Sequence, residues 1–109
     1  MKRKTAKKTT DYVLPPGKVL ALRTCAADMT SHNGKFLWPK SGPVECADWS
    51  TVAECGHGLH ALIWGEGDGS LLDWSDEAHW LVVEVLAADV VDLNGKGKFP
   101  RCNVVHCGT

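Results

Sequence analysis

Residues 81–87 read LVVEVLA, seven residues of which only Glu84 is polar. An amphipathic helix would repeat its apolar positions every three or four residues. This run is instead apolar on both of its alternating faces and rich in β-branched side chains, which suits a strand in the middle of a sheet. The rest of the fold is read outward from it. Residues 18–24, KVLALRT, set Val19, Ala21 and Arg23 on one face and Leu20, Leu22 and Thr24 on the other, predicting a first strand after the Pro15-Pro16-Gly17 break. Gly58 to Trp64 predicts another strand, with Leu59, Ala61 and Ile63 opposite His60, Leu62 and Trp64. Lys35 to Pro39 and Asn103 to Cys107 supply shorter ones, and Val90 to Leu93 runs into a turn at Asn94-Gly95-Lys96-Gly97. Ser31-His32-Asn33-Gly34 carries the Asn-Gly signature of a tight turn. Ser75, with Asp76 and Glu77 behind it, predicts a brief helix over Asp76 to Trp80, because a serine oxygen caps free N–H groups and carboxylates suit the positive helix end. The expected fold class is α+β: a β-rich small single domain, mostly antiparallel sheet, with one or two short helices.

The chain has 109 residues, of which 44% are hydrophobic and 23% charged, the balance of a folded globular domain. Its net charge of −1 hides a segregation. Lys2, Arg3, Lys4, Lys7 and Lys8 crowd the first eight residues, whereas residues 41–95 hold no Lys or Arg and eleven carboxylates. The division expected is a basic, disordered tail over residues 1–13 and one globular domain over 14–109. An acidic body repels phosphate, so direct nucleic-acid binding is not expected beyond the tail, while a basic surface on a partner protein would be attracted. No apolar run reaches the roughly 18–20 residues of a membrane span and none follows the basic start, which predicts a cytoplasmic protein without membrane contact. Five cysteines and no Cys-x-x-Cys pair predict reduced thiols rather than a disulfide framework.

Residues 54–74, ECGHGLHALIWGEGDGSLLDW, concentrate the chemistry. Cys55, His57 and His60 are zinc-type donors that Cys102, His106 and Cys107 could complete, but on an extended strand residue 60 points away from 55 and 57. Buried thiols and hydrogen-bonded imidazoles are the favoured reading, and no cofactor is expected. Glu66, Asp68, Ser70 and Glu77 stand at calcium-loop positions, yet Leu71 occupies the place that wants glycine. Gly65-x-Gly67-x-Gly69 lacks the Lys-Ser/Thr of a phosphate loop. Of five tryptophans, Trp64 and Trp74 bracket the acidic glycine-rich loop and are the expected contact anchors, with Glu66, Asp68 and Asp73 as the acidic part of a partner-binding surface.

Cys55-Gly-His57-Gly-Leu-His60, Trp64-Gly-Glu-Gly-Asp-Gly-Ser70 and Trp80-Leu-Val-Val-Glu-Val85 resemble a family of short, uncharacterised phage and bacterial proteins over about residues 18–108. The resemblance implies a phage or prophage setting and carries no catalytic residue. The expected function is therefore a binding protein that inhibits a host protein or defence complex through its acidic surface. The alternatives are a small enzyme or zinc protein centred on Cys55, His57 and His60, or an ADP-ribosyltransferase-like domain using Arg23 and Glu84, with Ala78 on the intervening helix.

Overall fold

The computed structural model describes residues 13–31, 36–54 and 58–108. Its strands are β1 (Lys18–Cys25), β2 (Thr30–Ser31), β3 (Phe36–Leu37), β4 (Gly42–Glu45), β5 (Leu59–Ile63), β6 (His79–Leu86), β7 (Val91–Asp92), β8 (Gly97–Phe99) and β9 (Arg101–Gly108). Seven form one sheet in the order β4-β9-β6-β1-β5-β8-β7, every pairing antiparallel, and β2 and β3 make a separate hairpin. The β-rich, antiparallel part of the expectation is what the chain adopts. β6 holds the centre with β1, eight paired residues from Lys18↔Leu86 to Cys25↔His79.

The helical part of the expectation is corrected. Among the described residues there is no α-helix, only 3₁₀ turns at Gly69–Leu71 and Ala87–Asp89. Ser75 does start a turn, with Ala78 N–H donating to the Ser75 carbonyl at 3.2 Å, but the chain then extends. His79 and Trp80 pair with Cys25 and Thr24 of β1, so ladder bonds replace a helix too short to repay its own nucleation. Strands that composition left unmarked also appear, β2 among them. β4 follows Lys40-Ser41 and pairs with β9, and β8 follows the Asn94-Gly95 turn and pairs with β5.

The connection between β8 and β9 dictates the shape. They flank β5, β1 and β6, so in a flat sheet they would lie four strand spacings apart, about 19 Å. Only Pro100 lies between them, and a single residue bridges no more than about 7 Å. The sheet is therefore rolled, with β8 and β9 brought together at Pro100. The Pro100 carbonyl accepts from the Cys46 N–H at 3.0 Å, drawing the end of β4 to the same seam.

Rolling gives the sheet an inside, so no helix is required to cover it. The register puts Ala21, Val83, Val85, Leu81, Leu59, Ala61 and Phe99 on that inner face, and all are buried. Cys25, Cys102 and Val104 join them as small core side chains. One end is closed by the β2–β3 hairpin, which brings in Met29 and Trp38 and sets Phe36 edge-on to Trp38 at 5.4 Å. The Trp38 indole N–H donates to Ser31 Oγ at 3.1 Å, so the ring is buried with its polar atom satisfied.

Phe99 is fully buried at the closing seam. Phe99→Ala is expected to lower the unfolding free energy by about 3–5 kcal/mol, read as a reduced urea midpoint.

Candidate functional site

Antiparallel partners point to the same side, so the ladder also sorts the outer face. Leu20 and Leu22 of β1 stand beside Glu84 and Val82 of β6, with Trp80 next along the strand. Leu20, Leu22, Trp64 and Val82 line a shallow, largely apolar hollow of about 260 Å³. Trp64 is 54% exposed and Trp74 68% exposed. Trp74 meets Trp80 edge to face at 5.0 Å and donates its indole N–H to the Gly69 carbonyl at 2.9 Å. An apolar strip thus runs along the outer β1–β6 face between two exposed indoles.

The acidic loop beside it is held by turn chemistry. Trp64 and Gly65 both have positive φ, 58° and 72°, and Glu66 N–H reaches back to the Ile63 carbonyl at 3.0 Å, closing a tight turn. Asn94 and Gly95 form the expected turn between β7 and β8, again with positive φ at both positions. The two turns dock. Asp68 N–H donates to the Gly95 carbonyl at 2.8 Å, and Gly67, at φ 120°, lies so close to that oxygen that a Cβ would collide with it.

The site residues expected from sequence separate into different jobs. Asp68 accepts from Ser70 N–H at 3.0 Å and Ser70 O–H at 2.6 Å, which holds its carboxyl below the ordinary value and makes it a cap for the 3₁₀ turn. Asp73 accepts from Ser75 N–H at 3.0 Å, which lowers its carboxyl too, while its own N–H donates to Thr24 Oγ1 at 2.7 Å. Glu66 stands exposed on the loop. Cys55 and His57 lie outside the described residues. His60 is buried on the outer side of β5, opposite Lys98, whereas Cys102 packs in the core cluster and Cys107 against it. Among the described residues no three His, Cys, Asp or Glu side chains converge as a metal set.

Arg23 and Glu84 are likewise kept apart. Arg23 pairs with Leu81 on the inner side, while Glu84 pairs with Leu20 on the outer side and meets Lys18 at 3.7 Å. The transferase arrangement, with both groups at one centre, is not formed. Arg23 has another task. The β1–β5 ladder ends at Leu22↔Leu62, and beyond it the guanidinium fills the split, donating from Nη1 to the His60 carbonyl at 2.9 Å and from Nε and Nη2 to the Thr24 carbonyl at 3.2 and 3.0 Å. It also stacks over Trp38 at 4.4 Å. Burial pushes its pKa down from the ordinary value, opposed by the nearby Cys25 and Cys102 thiols.

Two roles escaped the sequence reading. Arg23 looks like one more alternating strand residue; nothing local marks it as a wedge. Lys98 is completely buried, its amine without a hydrogen-bond partner among the described residues and 5.4 Å from the Trp49 ring, yet a lysine between Gly97 and Phe99 reads as exposed.

The described residues thus define a small, rolled antiparallel β domain with an arginine-sealed seam and an aromatic outer strip. Residues 19–108 match the family described as a domain of unknown function, DUF7666, and the chain belongs to that family. It is 47% identical over 94 residues, 84% of its length, to the ice nucleation protein InaU of Pantoea ananas. To an ice nucleation protein of Pseudomonas syringae it is 44% identical over 93 residues, and to one of Xanthomonas campestris pv. translucens 43% over 93. The chain spans only 9%, 8% and 6% of those three proteins. No solved structure matches at a significant level.

These relatives overturn the phage-family resemblance and the function built on it. The motif blocks around Gly58-Leu59-His60 and Trp64 to Ser70 belong to a family shared with ice nucleation proteins, not to a phage inhibitor of a host protein or defence complex. The expected partner, a host or phage protein with a basic nucleic-acid-binding surface, is withdrawn with it. The cytoplasmic placement and the exclusion of membrane contact, which were drawn from the lack of an apolar run after the basic start, are withdrawn as well, since the relatives are ice nucleation proteins and that lack does not by itself place the chain. The enzyme, zinc and transferase alternatives fit these relatives no better.

Gly67→Ala is expected to cost about 1–3 kcal/mol, with amide shifts concentrated in residues 64–68 and 93–97, because a Cβ at that φ would push the two docked turns apart. Burial pushes the Cys102 thiol up to about 12 from 9.0. The unfolded chain releases that proton first, so this contribution is intact below pH 9 and falls by about 1.4 kcal/mol per pH unit as pH rises toward 12. Urea unfolding at pH 8 and pH 10 should show the extra loss relative to a Cys102→Ala variant.

Proposed function

We propose that this chain is a non-catalytic module serving ice nucleation, one that organises nucleating protein rather than templating ice with its own surface. The observation that carries the reading is the 47% identity over 84% of the chain to a segment of an ice nucleation protein. Templating ice calls for a regular, extended array of water-binding groups, and the sequence holds no internal repeat that would build one. What the outer surface offers is the protein-contact chemistry of Trp64, Trp80 and Trp74, with Glu66 on the adjoining loop. Residues 14–109 act as the folded module in this reading and residues 1–13 as a basic tail. Asp68 and Asp73 support the contact surface by fixing its loops.

Droplet freezing separates the parts. The purified chain should freeze droplets no warmer than an inert protein at equal mass. A Pseudomonas syringae ice nucleation protein whose matching segment is replaced by residues 14–108 should keep its freezing temperature, whereas the same protein carrying Trp64→Ala and Trp74→Ala in that segment should freeze several degrees colder at equal expression. Warm freezing by the isolated chain would refute the organising role, and a replaced protein that is expressed but inactive would refute the shared function.

A further inference from the structure

Where β1 and β5 part, the gap that Arg23 bridges opens into a cleft of about 180 Å³. Arg23, Thr24, Ser31, His60 and Lys96 supply its polar lining. Among the described residues no Asp or Glu lines it. Leu62, Leu71 and Leu72 form an apolar wall, and the cleft continues past Thr24 and Ser31 into a more open mouth where Asp73 first appears.

The guanidinium has five N–H groups and commits three of them to the Thr24 and His60 carbonyls. Its partners are neutral oxygens and an aromatic face, and no carboxylate among the described residues pairs with it. A largely buried cation without a counter-charge is costly, and an arriving anion would offset that cost. Two hydroxyls stand ready to donate: Ser31 Oγ and Thr24 Oγ1 each accept one bond, from the Trp38 indole and from Asp73 N–H, and keep their own protons. Polar side chains come from β1, β2, β5 and the turn before β8, on several sides of one small space. A planar carboxylate accepts mainly in its own plane, whereas a tetrahedral oxyanion accepts from several directions. The volume matches about six waters at roughly 30 Å³ each, enough for a phosphate group and a few further atoms.

We propose that this cleft is a binding site for a small phosphate monoester, its oxyanion held by Arg23, Lys96, Ser31 and Thr24 and its ester body against Leu62 and Leu72. The site adjoins the aromatic outer strip through Leu22, which lines both, and is independent of the ice-nucleation reading. Proton–nitrogen correlation spectra of the full chain, titrated at constant ionic strength, test it. Inorganic phosphate probes the oxyanion alone, glycerol 3-phosphate adds an ester body, and sodium acetate and sodium chloride are controls. Saturable shifts at residues 22–24, 31, 60–62, 71–72 and 96 are expected with both phosphates and not with the controls. Glycerol 3-phosphate should bind at least as tightly as inorganic phosphate. Lys96→Gln, outside the Arg23 seam, should weaken binding about tenfold, the loss of one charge-assisted hydrogen bond, with an unchanged unfolding midpoint, and Ser31→Ala should weaken it similarly with a lowered midpoint, because it also leaves the buried Trp38 indole N–H unpaired. Arg23→Gln should abolish binding if it folds, and the other two variants decide if it does not. Absence of saturable shifts, equal shifts with acetate, or binding indifferent to both Lys96→Gln and Ser31→Ala would overturn the site; binding of inorganic phosphate without glycerol 3-phosphate would overturn the ester.

Discussion

Pro100 stands alone between two strands that the sheet order separates by three others, and this short tether makes the sheet roll. Most of the domain follows from it. Rolling turns one face of β5, β1, β6 and β9 into an interior, so the apolar residues of LVVEVLA find cover without a helix. Proline is tolerated at that point because it sits between ladders, where a missing N–H costs no pairing and a fixed φ helps the chain change direction. Its carbonyl is still used, by Cys46, which fastens the edge strand β4 beside the closure.

A rolled sheet made of short strands cannot keep all of its neighbours in register, and β1 and β5 separate after two paired residues. Strand carbonyls left facing a gap need donors. Arg23 supplies them with a fork long enough to reach both sides, and Trp38 covers its cationic face. The same arrangement closes the seam and leaves a positive cleft beside it. Structure and recognition chemistry here therefore rest on one side chain.

The outer surface follows a different logic. Two tight turns, Trp64-Gly65 and Asn94-Gly95, dock through Gly67, and the acidic loop is pinned before it meets any partner. Asp68 and Asp73 spend their oxygens on neighbouring N–H and O–H groups, so the glycine-rich stretch is an ordered turn assembly. The exposed indoles at either side stand on a rigid frame, which lowers the entropic cost of making contact through them.

Strand composition and turn chemistry were legible in sequence, because both are local. LVVEVLA, KVLALRT, the alternation from Leu59 to Ile63 and the Asn94-Gly95 turn each specify backbone conformation through their own side chains. The helix expected after Ser75 was lost to pairing with β1, an interaction between residues more than fifty positions apart. The same holds for β4 and β8, whose short, glycine-bearing segments become strands only because a partner edge is present. Candidate site residues were legible as residue types but not as an arrangement. Sequence spacing says nothing of which face of a rolled sheet a side chain takes, and that decided that Arg23 and Glu84 lie on opposite sides, that His60 and Cys102 do not share a centre, and that Lys98 is buried. The chain's own residues determined the cores of its long strands and its turns; pairing decided the short strands and the roll imposed at Pro100 decided inside, outside and cleft, because those exist only once distant strands have been brought together.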